Sequence, residues 1–221
     1  MSHATVLIPA YNEAGRIGPV VQDLSDAYPV CVVDDGSTDE TAAEARAAGA
    51  DVIEHPTNRG YIAALKRGFR AIDTPIIVTF DADGEHRPED IPRVIAPIHE
   101  AGADLVLGER AQIPRPSEWL LSTLARLRVD VRDTGTGLRA MRKPLAEQLT
   151  LDTACTCGTL VLEADARGAA IATVPIETAD IEKPRGVAWR HGRQFFHLLH
   201  HLLVPHRAIA TTSDDQRHRD A

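Results

Sequence analysis

No run of this chain is apolar enough to cross a bilayer. The nearest, Phe195 to Val204, is interrupted by three histidines, whereas a spanning helix needs about twenty consecutive apolar residues. A leader of the secretory type is also missing: residues 1–5 are polar, and the first apolar run, Val6-Leu7-Ile8, stops at Pro9. A cytosolic protein, peripheral at most to the cytoplasmic membrane face, is therefore expected. Positive charge is scarce, with 24 basic against 32 acidic residues and a net charge of −8, which excludes a general nucleic-acid binder, since those need a basic face. Any anionic ligand must meet local positive charge. The three cysteines are too few for a disulfide framework: Cys31 sits in an apolar run as a buried thiol, and Cys155-Thr156-Cys157 lacks the second pair of a zinc site. A reducing compartment and local packing account for them.

What is present begins with Asp81-Ala82-Asp83, which ends the apolar run Ile76-Ile77-Val78-Thr79-Phe80. Side chains at i and i+2 of an extended chain share a side, so both carboxylates can face one ligand. Mg²⁺ or Mn²⁺ takes a few carboxylate oxygens and fills its remaining positions with phosphate and water. A solvated Asp-Gly turn is the plain alternative.

The surrounding pattern decides between them. Within 221 residues, enough for one good core, β-rich runs recur at 5–9, 30–33, 51–54, 76–80 and 104–107 with helix-like segments between. That alternation predicts an α/β fold with a mostly parallel central sheet and flanking helices. Ser37-Thr38-Asp39-Glu40 reads as a helix start running to Ala48, Ile62–Ala71 as a second helix, and Pro88-Glu89-Asp90 as a helix first turn. Four polar clusters each follow a strand: Pro9 to Glu13, Asp34 to Ser37, Asn58-Arg59-Gly60, and Asp81 to Asp83. The carboxyl edge of a parallel sheet is where strand ends and helix amino termini converge on ligands.

Beyond residue 110, Trp119, Leu120, Leu121, Leu124 and Leu127 repeat at helical spacing, with Arg126, Arg128 and Arg132 close by. A core-facing helix is expected, a helix resting on a membrane face being the alternative. Asp133 to Arg139 is polar and glycine-rich, and Arg139 is suited to a phosphate fork. A helix at 158–167 and a strand at 170–175 follow, then a helix-like run from about 187 to 204 and a polar, disordered end at 211–221. His191, His197, His200, His201 and His206 lie on that last helix without carboxylates at ligand spacing and are read as an interface rather than a metal cluster.

Together these residues resemble a family 2 glycosyltransferase of the GT-A fold. Val6 to Glu13, Val32 to Asp39, Asn58-Arg59-Gly60 with Ala63-Ala64-Leu65, and Asp81-Ala82-Asp83 match its motifs in order, over most of residues 4–177. Asp133 to Lys143, Glu163 and Val174-Pro175-Ile176 are similar to its dolichyl- or polyprenyl-phosphate mannosyltransferase branch. The resemblance implies one GT-A domain over 1–180, with a nucleotide-sugar half to about 110 and an acceptor half beyond. A helical membrane-interface segment at 181–210 and the tail at 211–221 complete the division.

It also implies roles. Asp83, with Asp81 and Glu85, would hold Mg²⁺ or Mn²⁺; Pro9, Tyr11, Glu13, Asp35, Asn58 and Gly60 would bind the nucleotide sugar. Arg139 would contact phosphate as a catalytic residue, while Arg126, Arg132, Glu163 and Arg185 would serve the acceptor side. The implied reaction moves a sugar from a nucleotide diphosphate sugar, GDP-mannose favoured, to a polyprenyl phosphate. A hydroxyl acceptor or UDP-glucose as donor is the nearest alternative; a non-catalytic GT-A scaffold and a receiver-like domain are the others. Three departures from the branch stand out: Glu85 replaces its usual Gln, Arg185-Gly186-Val187-Ala188 only loosely echoes its last motif, and its appended transmembrane helices are missing.

Overall fold

The computed structural model describes residues 3–113, 115–152 and 155–179. Valine- and isoleucine-rich segments form the middle of one sheet, because strands covered by helices on both faces must be apolar on both sides. The strands are β1 (Ala4–Ala10), β2 (Val30–Asp34), β3 (Asp51–Glu54), β4 (Ile76–Thr79), β5 (Leu105–Arg110), β6 (Arg139–Arg142) and β7 (Ile171–Ile176). Their spatial order is β3-β2-β1-β4-β6-β5-β7. Every neighbouring pair is parallel except those of β6, which runs antiparallel to β4 and β5. The expected α/β fold with a mostly parallel sheet is thus observed.

Successive strand residues feed opposite faces, as the two-residue period requires. Leu7, Ile77 and Met141 join Leu65, Phe69 and Leu160 in one core layer. Val6, Ile8, Val78 and Ala140 join Val21 and Val94 in the other. The helices covering these layers are α1 (Ile17–Ser25), α2 (Thr41–Ala47), α3 (Tyr61–Ala71), α4 (Ile91–Glu100), α5 (Pro116–Ala125), α6 (Lys143–Gln148) and α7 (Thr159–Ala166). Cys31 is a buried thiol, and burial pushes its pKa up to about 11.

Three expectations need correction. α2 begins at Thr41 rather than Ser37, because the Ser37 and Thr38 side chains bond across to Asn12, while Asp39 accepts from both the Ala14 N–H and the Thr41 N–H that opens the helix. β6 is not among the expected strands: its Arg-Ala-Met-Arg sequence has no strand signature, and only pairing on both sides makes it one. α5 faces the core with only part of its apolar stripe: Leu121 and Ala125 are buried and Leu124 packs against the core, while Trp119, Leu120 and Leu127 are exposed.

Glu163 is a further correction, since it serves the scaffold. Buried on α7, it accepts bonds from the backbone N–H and hydroxyl of Thr150 (both 2.6 Å) and from the Leu151 N–H (3.0 Å), and it pairs with Arg167 (2.9 Å). Those bonds hold Leu151 in a left-handed conformation, φ 45°, which a branched side chain adopts only when its surroundings force it. Arg185, the five C-terminal histidines, the predicted helix at 187–204 and the tail lie outside the described residues. Glu163→Gln, which leaves a buried acceptor set incomplete, should lower the unfolding free energy by about 1–3 kcal/mol in urea melts.

Candidate active site

The carboxyl edge of β1, β2 and β4 opens into a cleft of about 410 Å³, within the usual range for small-molecule sites. Pro9, Tyr11 and Glu13 form one wall, Asp35, Asn58 and Gly60 the next, and Asp81 and Asp83 the end, with Tyr61 between. All eight residues that the motifs assigned to donor and metal, apart from Glu85, therefore line one cavity. Tyr11 keeps 45 % of its surface exposed and presents a ring on which a flat ligand can stack.

The walls are fixed by side chains that cross between loops. Asn12, in a left-handed conformation (φ 54°), accepts from the Thr38 N–H at 2.9 Å, and its own N–H reaches the Ser37 hydroxyl at 2.9 Å. The Glu13, Ala14 and Gly15 amides donate to Thr41, Asp39 and Glu44. Asp35 is held more firmly still: it takes the Arg59 and Gly60 amides at 3.0 and 2.7 Å and contacts buried His55 at 2.7 Å. Sequence reasoning missed His55, although its place immediately after β3 marks it. Gly36 has φ 74°, and a Cβ there would lie 2.5 Å from the Thr57 carbonyl carbon, so the turn after Asp35 admits no side chain.

Asp81, Glu85 and His86 bring one ligand atom each within 4.8 Å of one another. Two carboxylates and an imidazole make a donor set that fits Mn²⁺ or Mg²⁺. Asp83 lies beside this group, its Oδ1 accepting the Glu85 N–H at 3.0 Å. His86 was not expected; it is buried, edge-on to Phe80. Asp81 is aligned from behind by the 137 backbone, where an added Cβ would meet its Oδ2 at 2.0 Å. Thr79 ties that backbone down by donating to the Gly137 carbonyl at 2.8 Å.

Behind the acidic group sits Arg110, also missed, and 1 % exposed. It bonds Asp133 through Nε and Nη2 (2.6 and 2.9 Å), Glu85 at 3.2 Å and Glu118 at 3.0 Å. Burial works against its charge, but the bonds to Asp133 and the charges of Glu85 and Glu118 outweigh it and raise the pKa. Glu13 is shifted upward too, chiefly by burial, with Arg16 opposing and Asp83, Asp39 and Asp81 adding to the rise.

The remaining predicted residues are not part of the cleft wall. Arg139 is buried in β6, bonded to Thr156 at 2.9 Å, with Nε and Nη1 lacking hydrogen-bond partners among the described residues. Its charge is felt by Tyr61 under the cleft floor. Arg126 and Arg132 are exposed near Asp130 and Glu109 respectively. The phosphate fork expected of Arg139 is thus not open to the cleft, because pairing of β6 with β4 and β5 draws it inside.

The glycosyl transferase family 2 model matches residues 5–160. The chain belongs to that family. A dolichyl-phosphate hexose transferase of Haloferax volcanii is 36 % identical over 77 % of this chain and 80 % of its own length. A UDP-N-acetylglucosamine–dolichyl-phosphate N-acetylglucosaminyltransferase of Methanococcus voltae is 30 % identical over 88 % and 93 %. An uncharacterized protein of Methanocaldococcus jannaschii is 40 % identical, but over 48 % of this chain and 45 % of its own; the chain spans about half the length of several such relatives. Among solved structures, glucosyl-3-phosphoglycerate synthase of Mycobacterium tuberculosis superposes with TM-score 0.78, at 25 % identity over 91 % of this chain and 80 % of that one. The fold is therefore that of the GT-A glycosyltransferases. A second structure of that synthase, at 24 % identity, contains Mn²⁺, UDP-glucose and phosphoglyceric acid.

Gly137→Ala should push Asp81 out of line and weaken Mn²⁺ binding at least about tenfold, with little loss of thermal stability; calorimetric titration and melting measure both. A raised carboxyl pKa makes the folded state hold its proton longer, so stability falls as pH rises through Glu13's titration. Glu13→Gln removes that loss, and should stabilise the metal-free protein by a few tenths of a kcal/mol, roughly, at pH 7 but not at pH 3.

Proposed function

We propose that the chain is a metal-dependent inverting glycosyltransferase that moves a hexose from a nucleoside-diphosphate sugar to a polyprenyl or dolichyl phosphate. The observation that carries this is the convergence of Asp81, Glu85 and His86 at the end of a nucleotide-sized cleft, with Asp83 beside them. Asp81, Asp83 and Glu85, with His86, would hold Mg²⁺ or Mn²⁺. Bound there, the cation supplies Lewis acidity to the leaving diphosphate. Tyr11 stacks on the base; Glu13 accepts from ribose hydroxyls; Asp35 orders the 58–60 loop against the sugar-nucleotide.

A phosphomonoester acceptor has a second pKa of about 6, so it is largely dianionic at neutral pH and attacks without a general base. That agrees with the cleft wall among the described residues, where Asp35 is held by the 59 and 60 amides and His55, while Glu13, Asp81 and Asp83 are taken up by ribose and metal in this reading. The acceptor instead needs positive charge, which Arg126 and Arg132 would supply from the acceptor half and Arg185 from the segment beyond it; Arg139 would contribute from below the floor. The lipid-phosphate names of the Haloferax and Methanococcus relatives support the acceptor class. The acceptor's tail would hold the enzyme to the cytoplasmic membrane face.

GDP-mannose is the favoured donor from the branch resemblance. The UDP-sugars named for the Methanococcus relative and the mycobacterial structure support a second reading, UDP-glucose or a related donor. A panel of GDP- and UDP-sugars with Mn²⁺ or Mg²⁺ and a short polyprenyl phosphate, scored for labelled lipid product, separates the two. Product with GDP-mannose alone favours the first reading, and with a UDP-sugar alone the second. Asp83→Ala should reduce that turnover by at least about a hundredfold with the melting temperature unchanged; full activity in the variant would sink the metal role.

A further inference from the structure

Among the described residues four large apolar side chains are exposed, and three of them lie together. Trp119 (58 %) and Leu120 (45 %) are on α5, and Leu127 (77 %) is just past its end; the fourth, Tyr11, belongs to the cleft. Pro116, Leu120, Thr123 and Leu127 follow one another at helical spacing, and all are exposed. The opposite face of α5 is buried and mixed: Leu121 and Ala125 join the core, with Glu118 and Ser122 beside them. Glu118 bonds Arg110 and Arg115 there, and Ser122 exchanges bonds with Thr134 at 2.9 and 3.1 Å. A helix that serves only its own core keeps polar residues on its outer side, where α5 instead carries Trp119, Leu120 and Leu127.

The charge around this stripe is also exceptional. Residues 111–132 carry four arginines and two acidic residues in a chain whose net charge is −8. Arg126 and Arg132 are exposed; Arg132 pairs with the largely buried Glu109, whereas Arg126 is 3.6 Å from Asp130, itself 98 % exposed, a contact worth little. An apolar stripe with a Trp, flanked by arginines, matches the headgroup region of an anionic bilayer, where an amphipathic helix lies flat with its apolar side in the acyl boundary. A second copy of the chain fits less well, since three apolar side chains fall far short of the roughly 800 Å² per partner of a stable interface.

We infer that the outer face of α5, Trp119, Leu120 and Leu127, docks this protein on an anionic lipid bilayer, with the exposed Arg126 beside it meeting the headgroups. The inference rests on the lipid-phosphate acceptor reading and says how that acceptor is met. The same short helix joins the docking face to the site: Glu118 on its inner side holds Arg110, and Arg110 holds Glu85. A bilayer seated on α5 thus lies against the acceptor half, two ion pairs removed from the Asp81–Glu85–His86 group.

The test uses the full chain and a Trp119→Ser/Leu120→Ser/Leu127→Ser variant, co-sedimented with vesicles of phosphatidylcholine alone or mixed with phosphatidylglycerol. The wild type should pellet with the anionic vesicles, less so in high salt, and the variant should lose about tenfold or more of that binding with an unchanged melt. Turnover is then read with a water-soluble short-chain isoprenyl phosphate and with a long-chain polyprenyl phosphate embedded in the vesicles. The variant should match the wild type on the first and fall about tenfold on the second. Equal vesicle binding by wild type and variant, or none by either, overturns the docking face. So does a dimer that the variant dissolves, which assigns the stripe to a second copy, or a lowered melt with binding retained, which puts it under another part of the chain. If vesicle binding follows the stripe while neither phosphate is glycosylated, the acceptor reading fails and the docking face stands.

Discussion

One buried guanidinium organises the acceptor side of this molecule. Arg110 ends β5 with its charge enclosed by Asp133, Glu85 and Glu118, three carboxylates drawn from three separate segments. None of the four groups could be buried alone, because an isolated charge in a low-dielectric interior costs several kcal/mol. Together they satisfy one another, with Arg115 supplying a second cation to Glu118 at 2.7 Å. The arrangement holds together only as a set. It fixes the 133–137 loop, the inner face of α5 and the carboxylate that reaches the metal-ligand group. Geometry at that group is therefore inherited from a cluster outside the cleft.

The donor side is built differently, from many weaker bonds. Loop 12–15 and the turn at 37–41 are stitched by side chains donating and accepting across the gap between β1 and β2. Asp35 plays the matching part for loop 58–60. Each bond contributes about 1 kcal/mol net, but each also removes freedom from a loop that must be in place before a ligand arrives. Preorganisation by neutral and singly charged bonds leaves Tyr11 and Glu13 facing the cavity rather than the scaffold.

Much of this was legible in the chain itself. Short β-branched runs separated by helix starts placed six of the seven strands, with ends within three residues, and each polar cluster fell at or past a strand's carboxyl end, where ligand loops sit. The cleft residues from Pro9 to Asp83 followed directly. What misled was pattern without partners. Ser37-Thr38-Asp39-Glu40 has the composition of a helix cap, yet its side chains found better acceptors and donors in loop 12–15. The apolar residues of α5 have a core helix's spacing, yet only Leu121, Leu124 and Ala125 turn inward, where Glu118 and Ser122 join them. Glu163 and Arg139 matched motif positions, yet one was absorbed by the 150–151 loop and the other by the sheet.

By itself, then, the sequence determined the alternating α/β order, the family and the row of polar loops that makes the cleft, since all of these arise from local periodicity and contiguous motifs. Tertiary structure alone decided that β6 enters the sheet antiparallel between β4 and β5. That insertion buries Arg139, presses the 137 backbone against Asp81, and sets the loop carrying Asp133 beside Arg110. The reason is physical: a four-residue strand with arginines at both ends has no hydrophobic signal of its own, and its backbone bonds exist only once two distant strands are already side by side.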